Sequence, residues 1–543
     1  MAVAGWAQFG AAPSVEKLLG SLPVVVDFCR RLRSRELVDE LCPMREVSTS
    51  VVSHGQMVEV LVANRLTSPV PLADVEGWAR EWAVGEVFGV LPEALNDDRA
   101  GRALDAIAGV LDKITGSVGL TAIEVFGLDV TRMHWDMTSI SLHGAYPQAE
   151  EEFAVPKFGH PKDRRPDLKQ IQAGLAVTGD GGIPVFHRAY DGGAGEVGQV
   201  VGAMQALQKL AGPARMLIVG DSKLVSYTNL ATMIGQKVAF IAPASKTYVP
   251  ASVLAAQDLS RAVEVDYVAA RDVGKAADQR GRWHVCEDTM PLAGPRKKDP
   301  VLTLRRVFVH SSARAQAAAT ARARKLQRAT DDLDRLTRGL GSRHYPGTAE
   351  VTARIQAIAR ARRVGDYLRT TVTTDPGTGK PLLDWHFDPD TIAAETAGDG
   401  WYALLTNQTP NEAGPAGILR SYKGQEAVER RYHGFKGPLA VAPMFLRNNK
   451  RMTALITVIC LALLIYCLIE RQVRTAIAPA TNLPGLNAGR PAKPTTDLIF
   501  KALRTLRLIA ATNGSPPVIP QPSPHQVHLL NLLAVDPRRP RDD

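Results

Sequence analysis

Residues 215–221, Arg215-Met-Leu-Ile-Val-Gly-Asp221, form a short apolar run that ends in a glycine and an acid. A continuous apolar run of this kind is typical of a strand that is buried on both faces of a parallel sheet. Open α/β sheets bind ligands at the carboxyl ends of such strands, which is where this run puts Asp221. The stretch therefore predicts an α/β fold with an acidic side chain at the mouth of a buried strand.

A second acid, Asp136, lies in the segment Phe126–Leu142, where β-branched and aromatic residues surround it. That composition predicts a strand. Asp129 is an alternative acid on the same strand, but its odd offset of seven residues from Asp136 puts it on the opposite face. Asp136 is therefore the preferred candidate.

A third acid lies in the stretch Tyr422-Lys-Gly-Gln-Glu-Ala-Val-Glu-Arg-Arg-Tyr-His-Gly-Phe-Lys436. Tyr422, Glu429 and Lys436 are seven residues apart, close to two helical turns, so a single helix would present them on one face. A carboxylate there can bind a divalent cation while the phenol and the ammonium meet phosphate oxygens. A solvated amphipathic helix would show a similar pattern. Glu426, the alternative third acid, lacks the tyrosine and lysine spacing.

Three acids on two strands and one helix indicate a two-metal site for phosphodiester chemistry. The formal charge of +10 and the pI of about 9.3 favour a polyanionic partner. Five scattered cysteines without a C-x-x-C pair argue against a disulfide framework or a zinc site and for a reducing compartment. The first residues lack a basic n-region, so we expect no signal peptide.

Taken in order, these motifs resemble the DDE transposases of bacterial insertion sequences, in the group whose third acid lies in a Y-x2-R-x3-E-x6-K signature. Tyr422, Glu429 and Lys436 fall on that spacing, and Gln425 occupies the arginine position. The segment 136–144 is similar to the family's D-x-T-S strand. The resemblance covers most of residues 15 to 470, and further similar segments are 53–66, 95–102, 162–170, 181–184 and 399–407.

The resemblance implies a transposase that cleaves DNA at the ends of an insertion sequence and transfers the strands into target DNA. Asp136, Asp221 and Glu429 would hold two Mg²⁺ or Mn²⁺ ions, so we expect their carboxylates to converge on one cleft. The expected partner is double-stranded DNA, bound by a homodimer, without a membrane. The expected location is the cytoplasm, in association with the nucleoid.

The same resemblance assigns phosphate binding to Tyr422, Lys436 and, without charge assistance, Gln425. The chain departs from the family at Gln425, at Gly192-Gly193 where relatives carry Gly-Asn, and at Lys223 where many carry glycine. An alternative function is therefore a catalytically degenerate copy that binds DNA and cuts nothing.

The fold class predicted from these features is α/β. It comprises a ribonuclease-H-like catalytic core with a large mixed insertion before the third acid and a mainly helical N-terminal domain. The predicted parts are a helical domain that contacts DNA ends (1–118), the first part of the core (119–242), the insertion with a basic helical hairpin (243–412), the remainder of the core with the catalytic helix and an apolar helix (413–475), and a partly disordered C-terminal tail (476–543).

The insertion contains a strongly basic segment. Residues 305–363 hold fourteen Arg or Lys and four Asp or Glu, a net charge of +10. The pattern predicts two helices broken near 339–347. Arg322, Arg324 and Arg328 are the candidate DNA contacts on this hairpin, although a merely solvated hairpin fits the pattern equally well.

An uncharged apolar run, Met452–Ile469, is 18 residues long and meets the minimum length of a membrane span. We favour a buried core helix because the run is only marginally long enough and directly follows the catalytic helix. A membrane-anchored protein is the alternative. Beyond it we expect a short helix, Thr496–Ala510, and disorder from Ser515 to Asp543.

Overall fold

The computed structural model describes residues 14–45, 50–146, 149–159, 164–212, 216–439, 444, 446–511 and 516–538. The chain divides into two compact units, one formed by 1–219 with 424–543 and the other by 220–423. Both units contain helices and strands, so the predicted α/β class is confirmed. The predicted insertion, 243–412, lies inside the second unit.

The first unit begins with one strand and a run of helices, as the polar turns between apolar stripes predict. A capping box between Ser53 and Gln56 starts the third helix, and Gly127 ends the seventh in a left-handed conformation. The elements up to residue 219 are β1 Ser14–Leu18, α1 Leu22–Arg31, α2 Ser34–Leu41, α3 His54–Thr67, α4 Val75–Glu81, α5 Val84–Phe88, α6 Asp97–Ile107, α7 Leu111–Phe126, β2 Arg132–Leu142, β3 Lys169–Thr178, β4 Pro184–Tyr190, α8 Glu196–Ala211 and β5 Leu217–Val219.

The second unit alternates strands and helices. Its elements are α9 Tyr227–Gly235, β6 Ala239–Pro243, α10 Ala251–Ala255, β7 Val263–Glu264, β8 Trp283–Leu292, β9 Leu302–Ser311, α11 Ser312–Arg338, α12 Thr348–Arg362, β10 Leu368–Thr374, β11 Pro381–Phe387, α13 Pro389–Ala397, β12 Trp401–Thr406 and α14 Pro415–Lys423.

The chain then returns to the first unit. The remaining elements are α15 Glu426–Lys436, α16 Asn449–Ala476, β13 Leu483–Asn487, β14 Arg490–Ala492, α17 Thr496–Leu503, β15 Arg507–Ala511 and α18 Pro524–Leu533. Strand β15 pairs with β1, so the two ends of this unit share a small antiparallel sheet.

The main sheet of the first unit has the strand order β4-β3-β2-β5. The strands β2, β3 and β4 are antiparallel neighbours, whereas β5 runs parallel to β2 with Val219 opposite His134. Nearly every residue of β2 is buried, since α15 packs against β2 and β3. A strand buried on both faces explains why its sequence is rich in apolar and β-branched residues.

Helix α16 forms the core of the first unit. All residues from Met452 to Ile469 are buried, and the helix contacts β4, α3 and α6. A helix that is apolar on every side must be covered on every side, which is the arrangement seen here. The predicted buried helix is confirmed. By length and composition alone, α16 and the segment 97–126 could each cross a membrane.

The second unit contains an antiparallel sheet in the order β6-β12-β9-β8-β7 and a separate hairpin, β10-β11. Helices α11 and α12 lie side by side and pack on the hairpin through a small apolar cluster that includes Leu333, Val351 and Ile355. The predicted helical pair with a break at 339–347 is confirmed.

The C-terminal prediction is partly wrong. Residues 496–510 are not one helix, because α17 ends at Leu503 and the chain continues into β15. Within the predicted disordered tail, residues 524–533 form α18, which begins with a capping box between Ser523 and Gln526. Its leucines 529, 530 and 533 are buried because α18 packs against α16 and α17. Contacts with α16 and α17 thus order a segment whose own composition predicted disorder.

Candidate metal centre

Two buried carboxylates come together in the first unit. Asp136 is in the middle of β2 and Glu196 is the first residue of α8, and each is 8% exposed. Their oxygens lie within 4.8 Å of one another. Both accept from the Met137 N–H, with N–O distances of 2.8 Å to Asp136 Oδ1 and 3.3 Å to Glu196 Oε1. Two acids so close repel when both are ionised, unless a cation or a proton lies between them.

The donors of this pair fit a hard divalent cation. Carboxylate oxygens are the ligands that Mg²⁺ and Mn²⁺ prefer. The first turn of a helix stabilises an ionised acid such as Glu196, since the helix dipole is positive there. Sequence reasoning missed Glu196. The available signal was the glycine-rich turn 191–196, which ends in an acid and leads into a helix.

Helix α15 is attached to the backbone of β2 beside the acid. The Tyr432 hydroxyl lies 2.5 Å from the carbonyl oxygen of Asp136 and accepts from the Leu175 N–H at 3.1 Å. Burial, together with the charges of Asp136 and Glu196, holds the pKa of Tyr432 well above its usual value. The phenol therefore stays protonated and acts as a donor.

A second anchor of α15 lies at the turn between β3 and β4. Arg431 donates to the carbonyl oxygens of Gly182 and Gly181, at 2.8 and 2.5 Å, and forms an ion pair of 3.1 Å with Glu470. Gly181 and Gly182 have positive φ, 77° and 64° respectively, a conformation that other residues rarely adopt. The glycine pair and the arginine therefore fix where α15 lies on the sheet.

Gln425, a predicted phosphate ligand, also contacts β2. Its amide nitrogen donates to the Trp135 carbonyl oxygen at 3.1 Å, and its Oε1 lies 3.1 Å from His134 Nδ1. Burial lowers the pKa of His134 to about 4, so the ring is neutral near pH 7 and its Nδ1–H can donate to the amide oxygen. The side chain of Gln425 thus bonds to β2. The glutamine that stands where the family signature has arginine therefore has a structural role.

The helix around the third predicted acid differs from the expectation. Tyr422 lies in α14, which ends at Lys423, and the separate helix α15 begins after Gln425, so Tyr422 and Glu429 are not on one continuous helix. Glu429 and Lys436 are both on α15 and both exposed. Within the described part of the chain, Glu429 does not join Asp136 and Glu196 in a group of mutually close carboxylates. Its role as third acid stays a prediction.

Asp221 lies at the start of the second unit, in the chain directly after β5. It begins a short 3₁₀ turn, and its Oδ1 accepts from the Lys223 N–H at 2.8 Å. Of the alternative acids, Asp129 is exposed and accepts hydrogen bonds from Thr131, and Glu426 is exposed on α15. Neither alternative has the buried setting of Asp136.

The three predicted arginines of α11 have different settings. Arg322 is buried and forms an ion pair with Asp399, in which Nη2 lies 2.5 and 2.6 Å from the two carboxylate oxygens, and a longer contact with Glu395. The acceptors inside the unit occupy its guanidinium, which argues against a DNA contact. Arg324 and Arg328 are exposed. They stay predicted DNA contacts.

Residues 14–112 match the model of a family described as a domain of unknown function, DUF4277. No curated protein sequence matches the chain. Among solved structures, the chain is similar to the piggyBac transposase in a synaptic complex with hairpin DNA, with 8% identity, coverage of 89% of this chain and 79% of that chain, and a TM-score of 0.36.

Proposed function

We propose that this protein is a metal-dependent DNA transposase of the DDE type, encoded by a bacterial insertion sequence. The observation that carries the proposal is the pair of buried carboxylates, Asp136 and Glu196, which share one backbone N–H. Burying two adjacent acids is costly unless a cation compensates for their charge. Three antiparallel strands followed by a parallel one, in the order β4-β3-β2-β5, support a ribonuclease-H-like core.

Asp221 is proposed as the acid contributed from the neighbouring strand. Within the first unit, Val219 at the end of β5 is the parallel partner of His134. Asp136 and Asp221 each follow these paired residues by two positions. A chain that continued in the same register would bring both acids to the same edge, which is the arrangement that the resemblance to DDE enzymes implies.

For the remaining ligand we propose Glu196, with Glu429 as the alternative. Glu196 is buried and close to Asp136, whereas Glu429 is exposed on α15. Bound divalent ions would polarise the scissile phosphate and generate the nucleophile. The chain's own residues hold the acids in place, since Tyr432 and Gln425 bind the carbonyl groups of Asp136 and Trp135.

The proposed partner is double-stranded DNA at the element's ends and at the target, bound by a homodimer in the bacterial cytoplasm in association with the nucleoid. Lys436 and Tyr422 are proposed to contact phosphate near the scissile bond. The basic face of α11 with Arg324 and Arg328 would add contacts that do not depend on sequence.

The test is cleavage of a duplex that carries the inverted repeats flanking the gene, with and without Mg²⁺. Asp136→Asn should reduce nicking by more than about a hundredfold, since even indirect changes at metal sites cost about 10- to 100-fold. Asp129→Asn is the matched control and should retain activity, because Asp129 is exposed. Wild-type protein that binds the repeats without cutting them would instead be the degenerate DNA-binding copy.

A further inference from the structure

A cavity of about 840 Å³ lies among the helices of the first unit, and its lining is strongly basic. The volume falls in the range of small-molecule sites. The one acid in the lining, Asp105, already forms a two-pronged ion pair with Arg451, with N–O distances of 3.0 and 2.7 Å. The titratable side chains that line the cavity are Arg45, His54, Arg99, Arg102, Asp105 and Lys450.

Arg99 is the most buried of these cations. It is 4% exposed, and its Nε and Nη2 donate to the Val52 carbonyl oxygen at 3.1 and 2.9 Å. Its Nη2 also lies 3.2 Å from His54 Nδ1. These contacts use Nε and Nη2, and they hold Nη1 at a fixed position as a pre-organised donor for an anion.

The cations around the cavity repel one another, although Arg102 pairs with Asp98 at 2.9 Å and the charge of Asp39 opposes the repulsion at Arg99 and His54. Burial, followed by the charge of Arg102, lowers the pKa of Arg99, and burial, followed by the charge of Arg99, lowers the pKa of His54. With Arg99 donating to its Nδ1, a neutral His54 carries its proton on Nε2 and remains a hydrogen-bond donor. An anion in the cavity would relieve the repulsion and receive these donors.

Lys450 adds a cation where the backbone is already positive. It lies in the first turn of α16, a helix of 28 residues whose first turn contains Lys450 and Arg451 and no acidic residue. Cations at the amino end of a helix are unfavourable because the helix dipole is positive there. A bound anion would compensate for the charge of Lys450 and for the positive end of the helix.

We infer that this cavity binds a phosphate group, held by Arg99, Arg102 and Lys450. Arginine and lysine side chains supply the charge-assisted, multidentate hydrogen bonds that phosphate oxygens accept. The phosphate could belong to a free nucleotide or to a DNA strand. The site is separate from the acidic pair and does not depend on cleavage activity.

Calorimetric titration of the full-length protein in EDTA tests the inference, with inorganic phosphate as the first probe and a 20-bp duplex of arbitrary sequence as the second. The variant is Arg102→Gln with Lys450→Gln, which leaves the buried Arg99 intact. The control is Arg80→Gln with Lys113→Gln, two cations of the same unit that do not line the cavity. Thermal midpoints of all variants check folding, and Lys450→Gln alone replaces the double variant if that one is unstable.

We expect phosphate affinity to fall about tenfold or more in the cavity variant, because each lost charge-assisted hydrogen bond weakens binding. It should stay unchanged in the control and in Asp136→Asn. A parallel loss of duplex affinity identifies the ligand as DNA backbone, and a loss confined to free phosphate identifies a small molecule. Wild-type protein that binds no phosphate, or a cavity variant that binds it equally well, overturns the inference.

Discussion

The hydroxyl oxygen of Tyr432 lies 2.5 Å from the main-chain carbonyl oxygen of Asp136, a residue 296 positions earlier in the chain. The contact ties helix α15 to the strand that carries the candidate metal ligand. It involves the backbone of Asp136, so the carboxylate is left for other partners. The position of that carboxylate therefore depends on a tyrosine that does not itself take part in the proposed chemistry.

Tyr432→Phe tests this dependence. The Leu175 N–H and the Asp136 carbonyl each lose their hydrogen bond to the hydroxyl. This loss should lower the free energy of unfolding by about 1–3 kcal/mol. The Mg²⁺ concentration for half-maximal cleavage should rise about tenfold or more, as for other residues that orient metal ligands. Urea unfolding and Mg²⁺ titration of nicking measure the two effects.

Tyr190→Phe is the matched control, because the Tyr190 hydroxyl is buried and has no hydrogen-bond partner among the described residues. Removing the Tyr190 hydroxyl should not change the Mg²⁺ concentration for half-maximal cleavage. The free energy of unfolding should stay the same or rise slightly. Equal effects of the two substitutions would mean that Tyr432 only fills space.

Glu196→Gln and Glu429→Gln decide which glutamate is the remaining metal ligand. Glutamine keeps the size of the side chain but removes the charge, so the true ligand should lose more than about a hundredfold in cleavage rate. We expect that loss for Glu196 and a smaller one for Glu429. Single-turnover nicking at saturating Mg²⁺ measures it. The opposite ranking would restore Glu429 as the third acid and leave Glu196 with a structural role.

The arginines of the basic helix α11 should differ in their effect on stability, because one is buried and the others are exposed. Arg322→Gln breaks the buried ion pair with Asp399 and should lower the free energy of unfolding by about 3–5 kcal/mol. Arg324→Glu with Arg328→Glu should leave stability nearly unchanged, since both residues are exposed. If the exposed face touches DNA, the double variant should weaken binding and flatten its salt dependence. Chemical denaturation and filter binding at several salt concentrations provide the readouts.

His187 predicts how stability responds to acid. Its Nε2 lies 3.1 Å from the Thr115 hydroxyl, and burial lowers its pKa to about 3. The folded protein keeps the ring neutral, whereas the unfolded chain takes up a proton below about pH 6.5. The free energy of unfolding should therefore be independent of this group above about pH 6.5 and fall by up to about 1.4 kcal/mol per pH unit below it.

Urea midpoints measured from pH 8 to pH 5 check this dependence, with His187→Gln as the variant that should flatten the curve. His134 adds to the same trend, because burial lowers its pKa to about 4. A wild-type curve identical to that of His187→Gln would mean that the ring is solvated or protonated in the folded state.

Local sequence patterns determined several parts of this protein. The apolar run of α16 predicted a helix covered on every side, because a helix without a polar face has no side to turn to water. The β-branched setting of Asp136 predicted β2, and the break at 339–347 predicted the end of α11 and the start of α12. Each of these features follows from composition or periodicity within one short window.

Other parts were decided only by tertiary structure. Glu196 joins Asp136 because α8 begins beside β2, and no local pattern reports which distant strand a helix end will meet. The same holds for Arg322, whose charge predicted an exposed contact with DNA. In the fold it is buried and forms an ion pair with Asp399. It holds also for α18, whose leucines are buried by α16 and α17. Burial and pairing are properties of residues brought together by the fold, so a single sequence window cannot specify them.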